Sequence, residues 1–342
     1  MSDVRRVLVT GGAGYIGAVL TGLLLDEGYE VTVLDRFFFG STLDYLGGRA
    51  GLRIVKGDVR TFDPALLDGI DAVCDLAALS NDPAGELDPD KTRAINHRGR
   101  ARVAQLAREH GVRRYVLASS CSVYGFQDGV LDEESSINPL TTYAEANIAA
   151  EKSNLPLANS DFCVTAVRQA TVYGLSPRMR FYLAVNGMTL GIYQKGRIPV
   201  LRDGTQWRPM VHVRDTSRAF IAVLRAEPSA VTGQIFNVGS DEQNFQILPL
   251  ARRVAEAAGR EFVHDWYGDP DHRSYRVSFA KIHRVLGYEA RFTPEDAARE
   301  IVAALDSGAV VPDMKTRTVE WYKNLLQWHE VLREVVVNNA VL

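Results

Sequence analysis

Apolar and polar positions follow each other in a rhythm that predicts strands and helices in turn along the first half of the chain. Short apolar runs rich in β-branched residues indicate buried strands, whereas longer runs with a 3.6-residue repeat indicate helices. The predicted strands are Val4–Thr10, Glu30–Asp35, Leu52–Lys56, Ala72–Leu76, Arg114–Ser119 and Phe162–Arg168. The first helix predicted between them follows the glycine run that ends at Gly17 and continues to about Asp26. Further helices are predicted over Lys91–Glu109 and Thr141–Asn159. This order predicts an α/β fold built on a doubly wound parallel sheet with helices on both faces.

The rhythm changes after Gly174, where helices begin to predominate. Short strands are predicted at Ile198–Leu201 and Met210–Val213, among helices at Phe181–Leu190, Thr216–Arg225, Ile247–Ala258, Pro294–Leu305 and Thr318–Val335. We therefore expect two lobes, residues 1–174 and a smaller α/β lobe over 175–342. Some later segments are expected to cross back to the first lobe.

Composition excludes several classes of protein. Of 342 residues, 46% are apolar and 24% are charged, which is typical of a globular chain with a sizeable core. Lys and Arg number 39 and Asp and Glu number 42, so a net charge of −3 predicts neither nucleic-acid nor membrane-surface binding. Cys74, Cys121 and Cys163 are far apart and no histidines have metal-ligand spacing, so we expect neither disulfides nor a metal. An apolar signal segment is absent from the first residues, which favours a cytoplasmic protein.

A glycine-rich loop joins the first predicted strand to the first helix. Gly11, Gly14 and Gly17 permit a tight turn, close backbone approach to a pyrophosphate and close packing of the helix on the strand. The N-terminus of that helix then attracts the phosphates. Asp35 ends the next strand, where its carboxylate suits an adenosine ribose and disfavours a 2′-phosphate, although Arg36 beside it weakens this preference. The pattern predicts a Rossmann-type domain over residues 1–174 that binds NAD.

Basic residues dominate the stretch between Arg178 and Arg208, where six arginines and lysines accompany one acid, Asp203. A solvated basic face is the simpler interpretation. The functional interpretation is a diphosphate clamp, because guanidinium groups match phosphate oxygens bidentately.

Two further segments carry candidate chemistry, namely ASSCSVYG (118–125) after a predicted strand and Tyr143 in a long helix. With these segments the chain resembles the extended short-chain dehydrogenase/reductase family, especially its NAD-dependent nucleotide-sugar epimerases and dehydratases. The resemblance covers nearly the whole chain. It includes GGAGYIG (11–17), Gly57–Val59, Leu76–Ala78, Asn96, RQATVYG (168–174), GTQWRPMVHVRD (204–215) and FNVG (236–239).

The resemblance implies a role for each matching residue. Tyr143 is the expected acid/base. Ser120 is expected to form a hydrogen bond with the reacting hydroxyl or carbonyl of the sugar, and Asn147 is the third catalytic position. The implied NAD-binding residues are Gly11, Gly14, Tyr15, Ile16, Gly17, Asp35, Arg36, Asp58, Val59, Leu76, Ala77, Ala78, Asn96, Ser119, Tyr143 and Asn147. The implied substrate residues are Ser120, Thr171, Arg178, Arg208 and Arg273. The resemblance also implies a homodimer that pairs helices 91–109 and 141–159.

The chain departs from the family pattern at several positions. Asn147 stands where the pattern Tyr-x-x-x-Lys has the lysine that holds the nicotinamide ribose and favours the phenolate, and an amide supplies no charge. Asp75 stands where relatives often have His, and no role is assigned to it. Thr171 replaces an Asn that contacts substrate in many relatives. Cys121 and Ser122 replace the Asp and Glu of 4,6-dehydratases, so dehydration by that route is disfavoured.

Several functions therefore stay open. The leading hypothesis is an epimerase acting on a nucleotide-diphosphate sugar through a transient 4-keto intermediate. The alternatives are a sugar dehydrogenase or ketoreductase, a decarboxylase, and an NAD-binding protein with impaired catalysis. Because Asn147 lacks charge, the enzyme either handles the proton differently, runs slowly by the ordinary route, or has lost activity. The cation that compensates is not identifiable from the sequence.

Overall fold

A seven-stranded parallel sheet forms the centre of the computed structural model, which describes residues 4–269, 273–337 and 340. Its strands are β1 (Arg6–Thr10), β2 (Glu30–Asp35), β3 (Leu52–Lys56), β4 (Ala72–Asp75), β5 (Arg114–Ser120), β7 (Cys163–Gln169) and β11 (Ile235–Val238). They lie in the order β11-β7-β5-β4-β1-β2-β3. The order reverses between β1 and β4, and a crevice opens there at the carboxyl edge of the sheet. The predicted Rossmann-type α/β fold is confirmed.

The remaining strands are short and form small sheets of two or three strands beside the main one. They are β6 (Val130–Leu131), β8 (Thr171–Tyr173), β9 (Ile198–Leu201), β10 (Trp207–His212), β12 (Asn244–Gln246), β13 (His264–Tyr267) and β14 (Arg276–Val277). Parallel pairing of β8 with β10 brings Thr171 beside Met210.

The helices cover both faces of the main sheet and pack against the small sheets. They are α1 (Tyr15–Asp26), α2 (Asp82–Gly85), α3 (Pro89–Arg93), α4 (Arg100–Glu109), α5 (Thr142–Asn154), α6 (Ala184–Lys195), α7 (Val213–Arg225), α8 (Pro228–Val231), α9 (Ile247–Ala257), α10 (Ala280–Leu286), α11 (Pro294–Asp306) and α12 (Thr318–Val335). Within the described residues, none of these helices has both the length and the apolar character that crossing a bilayer requires.

Several predicted helices differ in detail from the structure. The helix predicted over Phe181–Leu190 is found at Ala184–Lys195, and the helix predicted over Thr216–Arg225 begins at Val213.

The helix predicted over Lys91–Glu109 is interrupted by a wider π-helical turn, Ala94–Gly99, between α3 and α4. The helix predicted to reach Asn159 ends at Asn154, because Pro156 has no N–H to donate and restricts the residue before it.

One main-sheet strand comes from beyond residue 174. Strand β11 pairs in parallel with β7, and α7 packs against α1 on one face of the sheet. The later part of the chain thus supplies both an edge strand and a covering helix to the main sheet. The division at residue 174 stays a prediction.

Candidate active site

A cavity of about 970 Å³ occupies the crevice at the carboxyl edge of the main sheet and extends to β8, β10 and α6. Apart from Asn96, every residue predicted for coenzyme, catalysis or substrate lines this cavity. The volume is at the upper end of the range that ligand sites usually span.

The glycine loop forms one wall of the cavity. Gly11 has a φ of +68°, and a Cβ there would come within 2.9 Å of the Ala77 backbone. A Cβ on Gly17 would collide with the Gly11 carbonyl oxygen. Helix α1 begins at Tyr15 with neither a side-chain cap nor an acidic residue in its first turn, so its N–H groups and partial positive charge face the cavity unopposed.

The Asp35 carboxylate follows β2 and is held by the backbone. It accepts hydrogen bonds from the N–H groups of Ala13, at 3.0 Å, and Phe37, at 2.7 Å. Burial raises the pKa of Asp35, while these two hydrogen bonds lower it. The carboxylate thus lies where the sequence expects an adenosine ribose.

Arg36 and Asp58 form an ion pair at the same end of the cavity. The Arg36 Nη1 lies 2.9 Å from Asp58 Oδ2, and Arg60 binds the same carboxylate. The hydrogen bond from Arg60 lowers the pKa of Asp58 to about 2, so it stays charged at neutral pH. Because Arg36 is engaged by Asp58, its charge is not directed at a 2′-phosphate.

Asn96 acts on the cavity from behind its wall. Its side-chain amide exchanges two hydrogen bonds with the backbone of Leu79, at 2.8 and 3.0 Å, and it is fully buried. These bonds hold the loop that continues from Leu76, Ala77 and Ala78 and carries Asp82 into the cavity.

The end of β5 carries the serine cluster. The Ser119 hydroxyl donates to Glu151 at 2.5 Å, and Glu151 forms a buried ion pair with Arg168. The Ser120 hydroxyl accepts from the backbone N–H of Ser122 at 3.1 Å and lines the cavity. Burial raises the pKa of the Cys121 thiol far above its usual range, which keeps it protonated.

Tyr143 lies in the first turn of α5, and helix α2 fixes that end of α5. Thr141 donates to Asp82 at 2.6 Å, and the backbone N–H of Thr142 donates to Glu86 at 2.7 Å. Two acidic side chains thus meet the positive end of α5. Burial raises the pKa of Tyr143, as does the charge of Asp82. A hydrogen bond with Asn147 and the charges of Arg100 and Arg180 lower it.

Arginines cluster at the other end of the cavity. Arg208 donates to the carbonyl oxygens of Trp207 and Arg273, and Arg273 forms an ion pair with Asp82. Thr171 lines the same cavity. Three of the predicted substrate residues, Thr171, Arg208 and Arg273, are therefore brought together from β8, β10 and the loop before β14.

Arg178 lies nearer the coenzyme end than its predicted substrate role implies. Its guanidinium stacks on Phe39 at 3.6 Å and donates to Thr318 of α12 at 2.5 Å. Its Nε and Nη1 atoms are buried without a hydrogen-bond partner among the described residues. Burial lowers the pKa of Arg178 to about 10. Its predicted role on substrate stays a prediction.

Sequence reasoning missed Arg100, Asp82 and the contribution of α12. Arg100 lies on the same face of α4 as the buried residues Val103, Ala104 and Ala107. Its helical spacing from these apolar residues could have predicted a buried arginine. Asp82 follows the Leu76–Ala78 motif closely, but its approach to Thr141 and Arg273 is a tertiary contact that no local pattern reveals.

The cavity fits a dinucleotide. The glycine loop leaves space for a pyrophosphate to approach its backbone, because Gly11 and Gly17 carry no Cβ. The uncapped start of α1 matches the charge of the pyrophosphate, and Asp35 matches a ribose without a 2′-phosphate.

Residues 7–239 match the NAD dependent epimerase/dehydratase family, and the chain belongs to that family. NAD is the coenzyme of the family. The chain is 28% identical over 320 residues to an uncharacterized UDP-glucose epimerase, YtcB, of Bacillus subtilis, covering 88% of this chain and 98% of that protein. It is 29% identical to a dTDP-glucose 4,6-dehydratase of Streptomyces niveus, covering 96% of each.

A solved structure with a similar fold is MoeE5 in complex with UDP-glucuronic acid and NAD. The two chains are 27% identical, and the match covers 94% of this chain and 99% of that one with a TM-score of 0.76. The predicted membership of the extended short-chain dehydrogenase/reductase type is thereby confirmed.

Proposed function

We propose that the protein is an NAD-dependent epimerase-type enzyme that acts on a nucleotide-diphosphate sugar through a transient 4-keto intermediate. The observation that carries this proposal is one continuous cavity, lined by the glycine loop, by Ser120 and Tyr143, and by Arg208 and Arg273. The similarity to UDP-glucose epimerase YtcB supports the choice of substrate class.

The residues divide the chemistry among them. When bound, NAD accepts a hydride from the sugar and returns it. Tyr143, as the phenolate, takes the proton of the reacting hydroxyl, and the phenol so formed later gives the proton back. The Ser120 hydroxyl holds the reacting oxygen by a hydrogen bond, and Arg208 and Arg273 hold the diphosphate. Asn147 holds the ribose next to the nicotinamide.

The residues after Ser120 favour epimerisation over 4,6-dehydration. Cys121 is buried and stays protonated, and the Ser122 hydroxyl has no hydrogen-bond partner in the part of the chain that the structure describes. Neither is a carboxylic acid able to exchange protons at C5 and C6 of a sugar.

The test is to purify the protein, release and identify bound NAD(H), and incubate the enzyme with UDP-, dTDP-, GDP- and CDP-sugars. We expect one class of nucleotide sugar to be epimerised with no net change in nicotinamide absorbance. A net absorbance change would instead support a dehydrogenase or ketoreductase, and loss of carbon dioxide would support a decarboxylase. If no nucleotide sugar binds or changes, the proposal is wrong.

We also propose a homodimer in which α3–α4 and α5 of each subunit pair as a four-helix bundle, following the family resemblance. Sedimentation of the purified protein should give twice the mass of 37.8 kDa. A monomer at micromolar concentration would exclude this arrangement.

A further inference from the structure

A buried arginine beneath the active site, Arg100, contacts both Asp75 and Asn147. Asp75 ends β4, Arg100 begins α4 and Asn147 lies one turn after Tyr143 in α5. Arg100 Nε is 3.4 Å from Asp75 Oδ2, and Arg100 Nη1 is 3.3 Å from Asn147 Oδ1. All three are at most 1% exposed. Two of them are departures from the family pattern, and the third is a buried cation.

The guanidinium of Arg100 is held in one position. Its Nη2 donates to the carbonyl oxygens of Asp75, at 2.9 Å, and Ala118, at 2.5 Å. The Asp75 carboxylate accepts in turn from Thr10, at 2.5 Å, and from the Tyr115 hydroxyl. Because both groups of the ion pair are held by these hydrogen bonds, the Arg100 guanidinium stays directed at Asn147. The Asp75 carboxylate faces Thr10 and Tyr115 on the other side.

Asn147 connects this cation to Tyr143. Its Nδ2 donates to the Tyr143 carbonyl oxygen at 3.1 Å, which fixes the amide with its oxygen toward Arg100. The hydrogen bond from Asn147 and the positive charge of Arg100 both lower the pKa of Tyr143 against the effect of burial. The other charged groups facing the phenol are Asp82 from α2, which opposes ionisation, and Arg180 from the segment before α6, which favours it.

We propose that Arg100 and Asn147 together replace the lysine of the family pattern. Arg100, held by Asp75, supplies the fixed positive charge, and the Asn147 amide links that guanidinium to the backbone of the helical turn that carries the Tyr143 phenol. Arg100 is thus a positioning residue, since it acts through Asn147 and does not line the cavity. This inference rests on the proposed role of Tyr143 as acid/base, but not on which sugar is the substrate.

A purely structural role for Arg100 makes a different prediction. If the guanidinium served only to tie β4, β5 and α5 together, its loss would lower stability and leave the ionisation of Tyr143 unchanged. A direct titration of that phenol separates the two roles, and it requires no sugar.

The experiment follows tyrosinate absorbance against pH in the NAD-loaded protein, taken as the difference between each variant and the same variant carrying Tyr143→Phe. The other tyrosines cancel in this difference. We expect Arg100→Met to move the Tyr143 titration to higher pH, because a positive charge is lost. Arg100→Lys, which keeps the charge, should stay close to the unsubstituted protein.

A second variant removes the effect of an unpaired carboxylate. Asp75→Asn combined with Arg100→Met deletes both charges of the pair and should still titrate at higher pH than the unsubstituted protein. Circular dichroism checks that each variant is folded. An unchanged titration in either folded charge-deleted variant would overturn the proposal, as would an equally large shift with Arg100→Lys.

The outcome is independent of the substrate assignment. If no nucleotide sugar reacts but the titration shifts as expected, the proposed function fails and this inference stands. If a sugar is epimerised and the Tyr143 titration does not move, the proposed function stands and this inference fails.

Discussion

The Tyr143 phenol is the group on which the proposed chemistry depends, and its surroundings determine its response to pH. Burial raises the pKa of this phenol, so only a small fraction is ionised at neutral pH. A base with a raised pKa gains its active form as the pH rises. We therefore expect kcat/KM to increase from about pH 7 into the alkaline range, whereas Tyr143→Phe should lose turnover at every pH and keep its bound NAD. A flat profile for the unsubstituted enzyme would contradict this role.

Asn147→Lys is the second prediction at this scale. The substitution would introduce an ammonium group next to the buried Arg100, 3.3 Å from the present amide oxygen. An uncompensated buried charge costs roughly 3–5 kcal/mol, so we expect a loss of unfolding free energy of about this size and roughly tenfold slower turnover. Urea unfolding and steady-state rates measure both.

The matched background is Arg100→Met, where the introduced ammonium no longer meets a second cation. Asn147→Lys should cost much less stability there and restore part of the turnover. Equal effects in both backgrounds would mean that the two positions are not coupled.

Individual residues differ in how much of their role the sequence reveals. Gly11, Gly17 and Asp35 belong to a local motif, and local geometry decides their placement, so the coenzyme end was predictable. Arg100 was not, because its partners Asp75 and Asn147 come from distant segments that only the folded sheet brings together.

At the scale of elements, the short helix α2 positions the first turn of α5. Glu86 accepts hydrogen bonds from the backbone N–H and the hydroxyl of Thr142, at 2.7 and 3.2 Å, just before Tyr143. Glu86→Ala removes this cap, which typically costs about 0.5–2 kcal/mol. We expect kcat to fall several-fold with little change in KM, because the helix start carries the phenol.

Glu145→Ala is the control for this prediction. Glu145 lies in the same first turn but is exposed, and its nearest cation, Arg93, is 3.7 Å away. Exposed ion pairs contribute little, so stability and kcat should both stay close to those of the unsubstituted enzyme. Equal losses in the two variants would show that charge near the helix start matters more than the cap.

Strand and helix positions were predictable where the apolar repeat is long, as in α12, whose bounds agree with the predicted Thr318–Val335. The short strand β11 was not predicted as a strand, because its four residues carry too little periodicity.

At the scale of the whole molecule, helix α12 contacts the loop at the coenzyme end of the cavity. The Trp321 indole N–H donates to the Phe38 carbonyl oxygen at 2.6 Å, and Tyr322 packs against Phe38 and Phe39. These contacts hold the loop that follows Asp35. We expect Trp321→Ala to weaken coenzyme binding by roughly tenfold, or about 1.4 kcal/mol, measured with NADH by the fluorescence of its reduced nicotinamide.

Leu326→Ala tests the specificity of this effect, since Leu326 lies on an exposed part of the same helix. The Leu326→Ala variant should bind the coenzyme with the same dissociation constant as the unsubstituted protein. If Trp321→Ala also leaves NAD binding unchanged, the helix does not support the coenzyme end.

Strand β11 completes the edge of the main sheet and begins at Ile235, 61 residues beyond Gly174 in the chain. A fragment of residues 1–174 would keep the glycine loop and Tyr143 but leave the N–H and C=O groups of β7 bare along that edge. Such an edge recruits strands from other molecules. We expect the fragment to self-associate in light scattering, whereas a fragment extended through residue 239 should stay dispersed. A separately expressed coenzyme-binding fragment should therefore include β11.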